Sequence, residues 1–468
     1  MILLSLTVRN HRSIRDEITL DLTTPSLRTL KPRDNRTWAE STYPLLGILG
    51  ANATGKSAIL DALTYMFAAI HRSATVWQEA PAMLRRPFAL DPESRDASST
   101  YEIDFVLDDR RHRYGFEVDA DGIVAEWLYD LPRSRWRTRL ERDRDSGRLV
   151  IDGRPAPLST VTDRELVLSR ALLLRTSPLH TLARSLVDRV DIVRINDSHR
   201  RSRLKSLADS LAEGATTFSD IRGLLQIADT GVKDVSLRED AIPDALLDLT
   251  RKLKEVFSPD TTTDDDTTDN DSSTGRENDG APSTGTPAPS PEAPDGPARP
   301  EDPDAVLRHV VRSLTFTHHG DTGEAPEFSI DDESAGTVAW LVLAVPALEA
   351  LRRGGLLIVD EIDSSLHPHL LDILLTTFAD PAINTRHAQL IFTAHDANIL
   401  SPLSTAPLAE EQIWFTDKTR EGVTELTCLA DFPKHPDANR QKRYLSGVYG
   451  GVPHLSPSIF ARLIDTDS

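Results

Sequence analysis

Gly50-Ala51-Asn52-Ala53-Thr54-Gly55-Lys56-Ser57 decides the fold of this chain, because two glycines in this spacing, followed by lysine and serine, form a phosphate-binding loop pattern. The apolar run Leu45–Leu49 before it predicts a buried strand, and the helical spacing of apolar residues from Ala58 to Ile70 predicts a helix after it. A strand, a glycine-rich turn and a helix start create a nest of backbone N–H groups that holds polyphosphate.

The residues expected to contact phosphate belong to this loop and the first helical turn. Lys56 would reach the β- and γ-phosphates, and Ser57 would offer its hydroxyl to Mg²⁺. The predicted nucleotide-binding residues of this segment are Gly50, Asn52, Ala53, Thr54, Gly55, Lys56, Ser57 and Ala58.

Length and composition narrow the class of protein. At 468 residues the chain is too long for one simple core and predicts two or three domains or lobes. Its one cysteine, Cys428, excludes an internal disulfide and a cysteine-based metal cluster, and fits a reducing cytoplasm. Arg9 and Arg12 come too early for a signal peptide, and no apolar run approaches the roughly 18 to 20 residues of a membrane span. We therefore expect a cytoplasmic protein without a membrane segment.

The net charge of −20 is concentrated in one segment. From Asp260 to Asp304 there are 13 acidic and 2 basic residues, a net charge of −11, so the other 423 residues carry only −9. The overall charge therefore does not exclude a local basic face.

The sequence divides into four segments. Residues 1–160 form the predicted N-terminal half of the head, which carries the phosphate loop and an antiparallel β lobe, since several short segments alternate between Tyr101 and Ile151. Residues 161–257 predict a helical lobe, with Leu-rich and Arg-rich stretches that include Asp244–Val256. Residues 258–304 predict a disordered acidic linker, because they hold almost no large apolar side chain.

Residues 305–468 predict the C-terminal half of the head. Its central feature is Gly355-Leu356-Leu357-Ile358-Val359-Asp360-Glu361, an apolar strand that ends in two acids. Asp360 would hold Mg²⁺, and Glu361 would polarise the attacking water. Gln389–His395 repeats the pattern of an apolar strand with a polar end, and Ile413–Thr416 with Val423–Leu429 predicts a last antiparallel pair.

Spacing decides between classes of ATPase. Lys56 and Asp360 are 304 residues apart, which is typical of ABC-type and SMC-like ATPases rather than of ring-forming AAA+ proteins. Glu333-Ser334-Ala335-Gly336-Thr337 resembles the ABC signature motif, without its leading Leu and double Gly. In that family the motif, here Ser334 and Gly336, reaches the γ-phosphate bound by the other subunit of a dimer. The resemblance implies an α/β P-loop NTPase of the ABC/SMC-head type, with a mixed sheet, an antiparallel β lobe and a helical insertion.

Further pieces of the resemblance follow in order. Asp363 lies in a segment that resembles the D-loop, and His395 resembles the switch histidine that contacts the γ-phosphate. Val8–Ile14 resembles the opening of SMC-like heads, which implies that Arg12 lies near the nucleotide. His367 and His369 are interpreted as capping or packing residues, and His318 and His319 as surface residues without a partner set.

The chain resembles a bacterial subgroup of AAA-type ATPases, close to the RloA/AbiLii abortive-infection proteins. The segments that carry this resemblance are Glu126–Tyr129, Glu333–Thr337, Asp360–Pro368, Phe392–Asp396 and the tail Tyr444–Pro453, where Val448 replaces an expected Arg. It implies an ATP- and Mg²⁺-dependent ATPase that dimerises on ATP and controls a separate effector in phage defence. The related OLD nucleases carry a Toprim domain, but only 73 residues follow His395 here.

Two other functions stay open at this stage. An SMC-like DNA clamp would bind DNA more tightly with ATP, although the acidic charge and the missing long coiled coil speak against it. A transporter motor subunit is less compatible with the β lobe and the linker.

Overall fold

The computed structural model describes residues 1–194, 197–212, 214, 216–241, 310–318, 326–406, 408–433 and 439–452. The predicted linker 258–304, the predicted helix Asp244–Val256, His319 and the end of the tail motif at Pro453 lie outside these residues. The chain divides into two compact units, one of Met1–Ser236 with Leu314–Ser468 and one of Leu237–Ser313. The six-stranded sheet, the eight-stranded sheet and the candidate site all belong to the first unit.

A six-stranded mixed sheet forms the centre of the first unit. All neighbouring pairs are parallel except the last, which is antiparallel. Its strands, in spatial order, are β10 (Val190–Arg194), β14 (Leu356–Asp360), β15 (Gln389–Ala394), β3 (Leu45–Leu49), β16 (Ile413–Lys418) and β17 (Thr424–Cys428). Because the carboxyl ends of parallel strands meet at one edge, the phosphate loop, the acidic pair and His395 begin at the same edge. The predicted mixed sheet is confirmed.

Helices cover both faces of this sheet. On one face, α1 (Lys56–Arg72) shares an apolar core with Leu46, Ile48 and Ile358. On the other face, α7 (Ala335–Arg353) and α8 (Pro368–Ala379) share a core with alternate residues of the same strands. Burial on both faces explains why β3, β14 and β15 are continuous apolar runs in the sequence.

The prediction that no apolar run reaches the length of a membrane span is wrong for one helix. Among the described residues, α7 is long and apolar enough to cross a membrane, but 67% of its apolar window is buried inside the protein. Val338, Val342 and Leu343 pack against the central sheet, so its composition is that of a core helix.

The predicted antiparallel β lobe is an eight-stranded sheet. Its strands, in spatial order, are β2 (Ile18–Asp21), β1 (Ile2–Arg9), β4 (Ser99–Leu107), β5 (Arg110–Val118), β6 (Ile123–Leu131), β7 (Arg137–Asp143), β8 (Arg148–Ile151) and β9 (Arg154–Pro155). Every pair is antiparallel, and Gly122 has φ +151° in the turn between β5 and β6. One face of this sheet packs on α1, where Tyr65 contacts Tyr101 and Phe116.

The segment predicted as a helical lobe holds strands as well as helices. Its described elements are α3 (Val167–Leu173), α4 (His180–Asp188), β10, α5 (Asp197–Ala212), α6 (Phe218–Ile227) and β11 (Val232–Ala241). The Leu-rich stretch Leu179–Val190 predicts a helix up to Val190, but Val190-Asp191-Ile192-Val193 is rich in β-branched residues and pairs with β14 as the edge of the central sheet.

The remaining elements are short. They are α2 (Pro92–Asp96), β12 (Val310–His318), β13 (Glu327–Ser329) and α9 (Arg440–Leu445). The sequence predicts strands at Val311–Thr317 and around Phe328-Ser329-Ile330, and β12 and β13 pair antiparallel at these positions.

Candidate functional site

The phosphate loop joins β3 to α1 in a conformation that requires its glycines. Gly50 and Gly55 have φ of +158° and +111°, and α1 begins at Lys56 directly after Gly55. A Cβ atom on Gly50 would lie 2.5 Å from Thr416 Oγ1, and one on Gly55 would collide with Thr424 Oγ1. The close approach of Thr416 on β16 and Thr424 on β17 therefore leaves no room for a side chain at either position.

Lys56 is buried at the base of this loop. Its Nζ donates to the carbonyls of Gly50 at 2.6 Å and Ala51 at 2.9 Å. Burial lowers the pKa of Lys56, although the carboxylates of Asp363, Glu361 and Asp360 oppose that shift. The ammonium has three N–H donors, so it can keep the Gly50 carbonyl as a partner and still donate to a polyphosphate.

The two predicted halves of the site meet between Ser57 and Asp360. The Ser57 hydroxyl donates to Asp360 Oδ1 at 3.1 Å, although the residues are 303 positions apart. Thr393, fully buried at the end of β15, donates to the same oxygen at 2.6 Å. Hydroxyl and carboxylate oxygens are the ligand types that Mg²⁺ prefers, so this pair fits a magnesium ion.

Glu361 follows Asp360 in an unusual backbone conformation. Its φ of +57° is in the left-handed region, and its N–H donates to Thr393 Oγ1 at 2.8 Å. Ile362, the next residue, is fully buried and donates its N–H to the Thr393 carbonyl at 3.0 Å. Thr393 thus fixes the Asp360 side chain and the backbone that follows it. Glu361 lines a cavity over the phosphate loop.

A cavity of about 630 Å³ lies over the loop. The predicted residues that line it are Arg12, Asn52, Ala53, Gly55, Lys56, Ser57, Ala58 and Glu361. Gly50 and Thr54 belong to the loop below the cavity. Asp360 accepts a hydrogen bond from Ser57, which lines the cavity. The other residues that line the cavity were not predicted from the sequence. They are Ser13, Arg86–Leu90, Lys418 and Gly422.

Arg12 shares a carboxylate with two other arginines. Asp61 of α1 lies 3.6 Å from Arg12 Nη1, 3.3 Å from Arg86 Nη1 and 2.8 Å from Arg194 Nη2, and it also contacts His11 Nε2 at 3.1 Å. Burial alone would raise the pKa of Asp61, but the His11 hydrogen bond and the Arg12 and Arg86 charges hold it well below its usual value. Three guanidinium groups around one carboxylate leave a net positive charge beside the cavity.

The missed wall at Arg86–Leu90 is positioned by Asn10. Its Oδ1 accepts the N–H of Phe88 at 2.9 Å, and its Nδ2 donates to the carbonyls of Ser94, Ala97 and Ser98. The Arg12 N–H also donates to the Arg86 carbonyl at 2.7 Å. These are long-range contacts of an aperiodic segment, so no local pattern indicated that it would line the cavity.

Asp363 and His395 lie together beside the acidic strand but do not line the cavity. Asp363 Oδ2 accepts the N–H groups of His395 at 3.0 Å and Asp396 at 2.7 Å. The His395 ring is half-exposed, with Nδ1 3.4 Å from Asp363 Oδ1. The geometry therefore makes Asp363 a support of the loop that carries His395.

Ser334 and Gly336 open α7 outside the same chain's cavity. Ser334 Oγ accepts the Thr337 N–H at 3.0 Å, and a Cβ on Gly336 would lie 3.5 Å from the Ser365 carbonyl. His318, interpreted as a surface residue without a partner set, is 32% exposed, and its Nε2 lies 2.6 Å from the buried Glu333 carboxylate.

His367 caps α8 as expected, since its Nδ1 accepts the His369 N–H at 3.3 Å. Within the described part of the chain, no group of three or more histidine, cysteine, aspartate or glutamate side chains could hold a metal ion. A magnesium site here would therefore combine protein oxygens with phosphate and water.

Residues 45–401 match the model of the family described as "AAA domain, putative AbiEii toxin, Type IV TA system". The chain belongs to this AAA-domain family. Its fold is that of the P-loop NTPases, and the matched residues include both the phosphate loop and the acidic strand.

Among solved structures, the SMC head domain from Thermotoga maritima is similar over 92% of this chain and 99% of that chain, with 12% sequence identity and a TM-score of 0.35. The chain has no match among the curated proteins. P-loop ATPase families generally bind ATP with Mg²⁺, and AAA families often dimerise.

Proposed function

We propose that this chain binds and hydrolyses ATP in the cavity over the phosphate loop. The contact between Ser57 and Asp360 carries the proposal, because it joins the loop to the acidic strand at the point where a metal-bound phosphate would lie. Arg12 and Lys56 supply positive charge from two sides of the cavity. The base would lie toward Phe88 and Leu90, which are the largest apolar residues in the lining of the cavity.

The residues divide the chemistry between them. Mg²⁺, when bound through Ser57 and Asp360, would neutralise phosphate charge. Lys56 keeps its hydrogen bond to the Gly50 carbonyl and exchanges the Ala51 carbonyl for phosphate oxygens, and Glu361 accepts a hydrogen bond from the attacking water. His395 completes the γ-phosphate contacts when its loop, held by Asp363, moves toward the cavity.

The substitution Glu361→Gln tests hydrolysis. It should leave ATP binding intact and reduce phosphate release by at least about 100-fold, because an amide is a far weaker base. Glu425→Gln, which changes an exposed acid on β17, is the matched control and should hydrolyse ATP like the wild type. Full phosphate release by the Glu361→Gln chain would exclude the assigned role.

The same proposal makes the chain an ATP-dependent homodimer. Ser334 and Gly336 lie outside the cavity of their own chain, which supports a two-subunit arrangement in which each α7 start completes the partner's site. Glu361→Gln with Mg²⁺-ATP should double the mass measured by light scattering, and the added change Ser334→Arg should prevent this by blocking the approach. If the Glu361→Gln chain stays a monomer both with and without Mg²⁺-ATP, the proposed two-subunit arrangement is contradicted.

At the level of the cell, the proposed role is a cytoplasmic switch in phage defence that controls a separate effector. The similarity to RloA/AbiLii proteins and the family description support it, and the ATP-bound dimer would be the controlling state. Light scattering of the Glu361→Gln chain with the product of the neighbouring gene tests this directly. Capture of that product supports the switch, whereas a dimer that ignores it but retains DNA at low salt supports the SMC-like clamp.

A further inference from the structure

The tail motif Tyr444–Val452 has no role in the proposed chemistry, yet it contacts the phosphate loop. The Ala51 N–H donates to the Gly451 carbonyl at 2.5 Å, although 400 residues separate them. The Tyr444 hydroxyl donates to the same carbonyl at 3.1 Å. One tail carbonyl thus receives one hydrogen bond from the loop and one from the tail itself.

This contact continues to the lysine through a single peptide unit. The Ala51 N–H and the Gly50 carbonyl belong to the same planar peptide, and that carbonyl accepts from Lys56 Nζ at 2.6 Å. In a trans peptide the N–H and C=O point in opposite directions, so fixing one direction fixes the other. The Gly451 carbonyl therefore determines where the Gly50 carbonyl holds Lys56.

The backbone conformation of the tail places the Gly451 carbonyl. Gly450 and Gly451 have φ of +72° and +65°, and a Cβ on Gly451 would lie 2.9 Å from the Thr416 carbonyl and 3.2 Å from Gly50 Cα. Only glycine combines this backbone conformation with such a close approach.

Two aromatic side chains anchor the turn. Tyr444 and Tyr449 both stack on Phe415 of β16, with ring centroids 5.3 Å and 5.2 Å apart. Arg443 lies 5.4 Å over the Tyr449 ring. Since β16 is the neighbour of β3, the tail is fixed to the strand beside the phosphate loop.

We propose that the C-terminal motif is a positioning element for Lys56, acting from the Gly451 carbonyl through the Gly50–Ala51 peptide, and that it sets the affinity of the loop for the polyphosphate of ATP. The inference rests on the proposed function. The motif was recognised in the sequence only as a family resemblance, and this contact gives it a physical role.

Tyr444→Phe tests the proposal with the smallest change, because it removes one hydroxyl and keeps the ring on Phe415. Its matched control is Tyr449→Phe on the same stack, whose hydroxyl makes no hydrogen bond to a described residue. Equilibrium titration with Mg²⁺-ATP should show affinity about three- to tenfold lower for Tyr444→Phe and unchanged for Tyr449→Phe. Without nucleotide, the two variants should unfold at the same midpoint. If the Tyr444 hydroxyl had a merely structural role, the midpoint of Tyr444→Phe would be the lower of the two.

Gly451→Ala is the stronger variant and should lower ATP affinity more than tenfold. If it fails to fold, the Tyr444→Phe comparison still decides. Equal ATP affinity of wild type and Tyr444→Phe, or an equal loss in Tyr449→Phe, would overturn the inference while leaving the proposed function intact. A folded wild-type chain that binds no ATP would instead overturn the proposed function, and the inference with it.

Discussion

The Asp363 carboxylate holds the main chain of the loop at His395, accepting the His395 N–H at 3.0 Å and the Asp396 N–H at 2.7 Å. The Asp363 side chain is only 5% exposed, and its hydrogen bond from the Asp396 N–H is partly buried. Asp363 lies two residues after the acidic pair, and His395 follows β15. The segment after one strand thus fixes the segment after the next.

Asp363→Ala should therefore impair turnover more than nucleotide binding. It leaves two N–H groups of the His395 loop without their acceptor, and displacement of that loop should lower kcat about ten- to hundredfold. ATPase kinetics with ATP titration separate kcat from KM.

Asp372→Ala is the matched control for this change. Asp372 also accepts two hydrogen bonds from a neighbouring loop, from Ser404 Oγ at 2.7 Å and the Thr405 N–H at 3.2 Å, but it lies away from the nucleotide cavity. Its loss should lower the unfolding midpoint and leave kcat unchanged. Equal kcat losses in the two variants would contradict the role assigned to Asp363.

Thr393→Val should weaken the use of Mg²⁺. The hydroxyl donates to Asp360 Oδ1 at 2.6 Å and accepts the Glu361 N–H at 2.8 Å, and valine preserves the shape without either bond. We expect about a ten- to hundredfold loss of Mg²⁺ affinity or activity, because residues that orient metal ligands act at this scale. The check is a Mg²⁺ titration of ATP hydrolysis.

A threonine on α1 provides the control for Thr393→Val. The Thr64 hydroxyl donates only to the Leu60 carbonyl within its own helix, so Thr64→Val should keep the wild-type Mg²⁺ dependence. An unaltered Mg²⁺ titration in Thr393→Val would mean that Asp360 is oriented without this hydroxyl.

The sequence alone could predict those parts of the site whose residues are contiguous in the chain. The phosphate loop, the acidic strand and the start of α7 are each local patterns whose residues lie next to one another in the chain, and the mixed sheet follows from their flanking apolar runs. The roles of Lys56, Glu361 and the other site residues stay predictions until they are measured.

The parts that the sequence did not reveal depend on distant contacts. Arg86 lines the cavity because Asn10 and Arg12 hold its segment, and Gly451 meets Ala51 only after the central sheet has formed. β10 was missed because an edge strand of five residues directly after a helix gives little periodic signal. No local pattern records such pairings.

His112 should make the stability of the fold depend on pH. It is buried on β5 against Phe105, and burial, aided by Arg110 and Arg139, lowers its pKa from 6.5 to about 4. Between these two values the unfolded chain binds a proton that the folded chain does not. Stability is therefore lost as the pH falls through this window, by about 2 kcal/mol from this group between pH 7 and pH 5.

His112→Phe should remove that part of the pH dependence. Denaturant unfolding at pH 7 and pH 5 measures it as a difference between wild type and variant, and His71→Phe on the exposed side of α1 should behave as the wild type. Parallel losses in wild type and His112→Phe would rule out His112 as the source.

Asp61→Asn should destabilise the chain because one carboxylate balances three guanidinium groups and receives the His11 hydrogen bond. Its side chain is 9% exposed, but Arg12, Arg86 and Arg194 are 44%, 64% and 31% exposed, so water screens their charges and we expect a loss of about 1–2 kcal/mol, mainly from the lost buried hydrogen bond to His11. Asp16→Asn removes an exposed pair with Arg15 and should cost less than about 0.5 kcal/mol. Denaturant unfolding at pH 7 compares the two variants, and losses of similar size would show that the cluster at Asp61 does not depend on its charge.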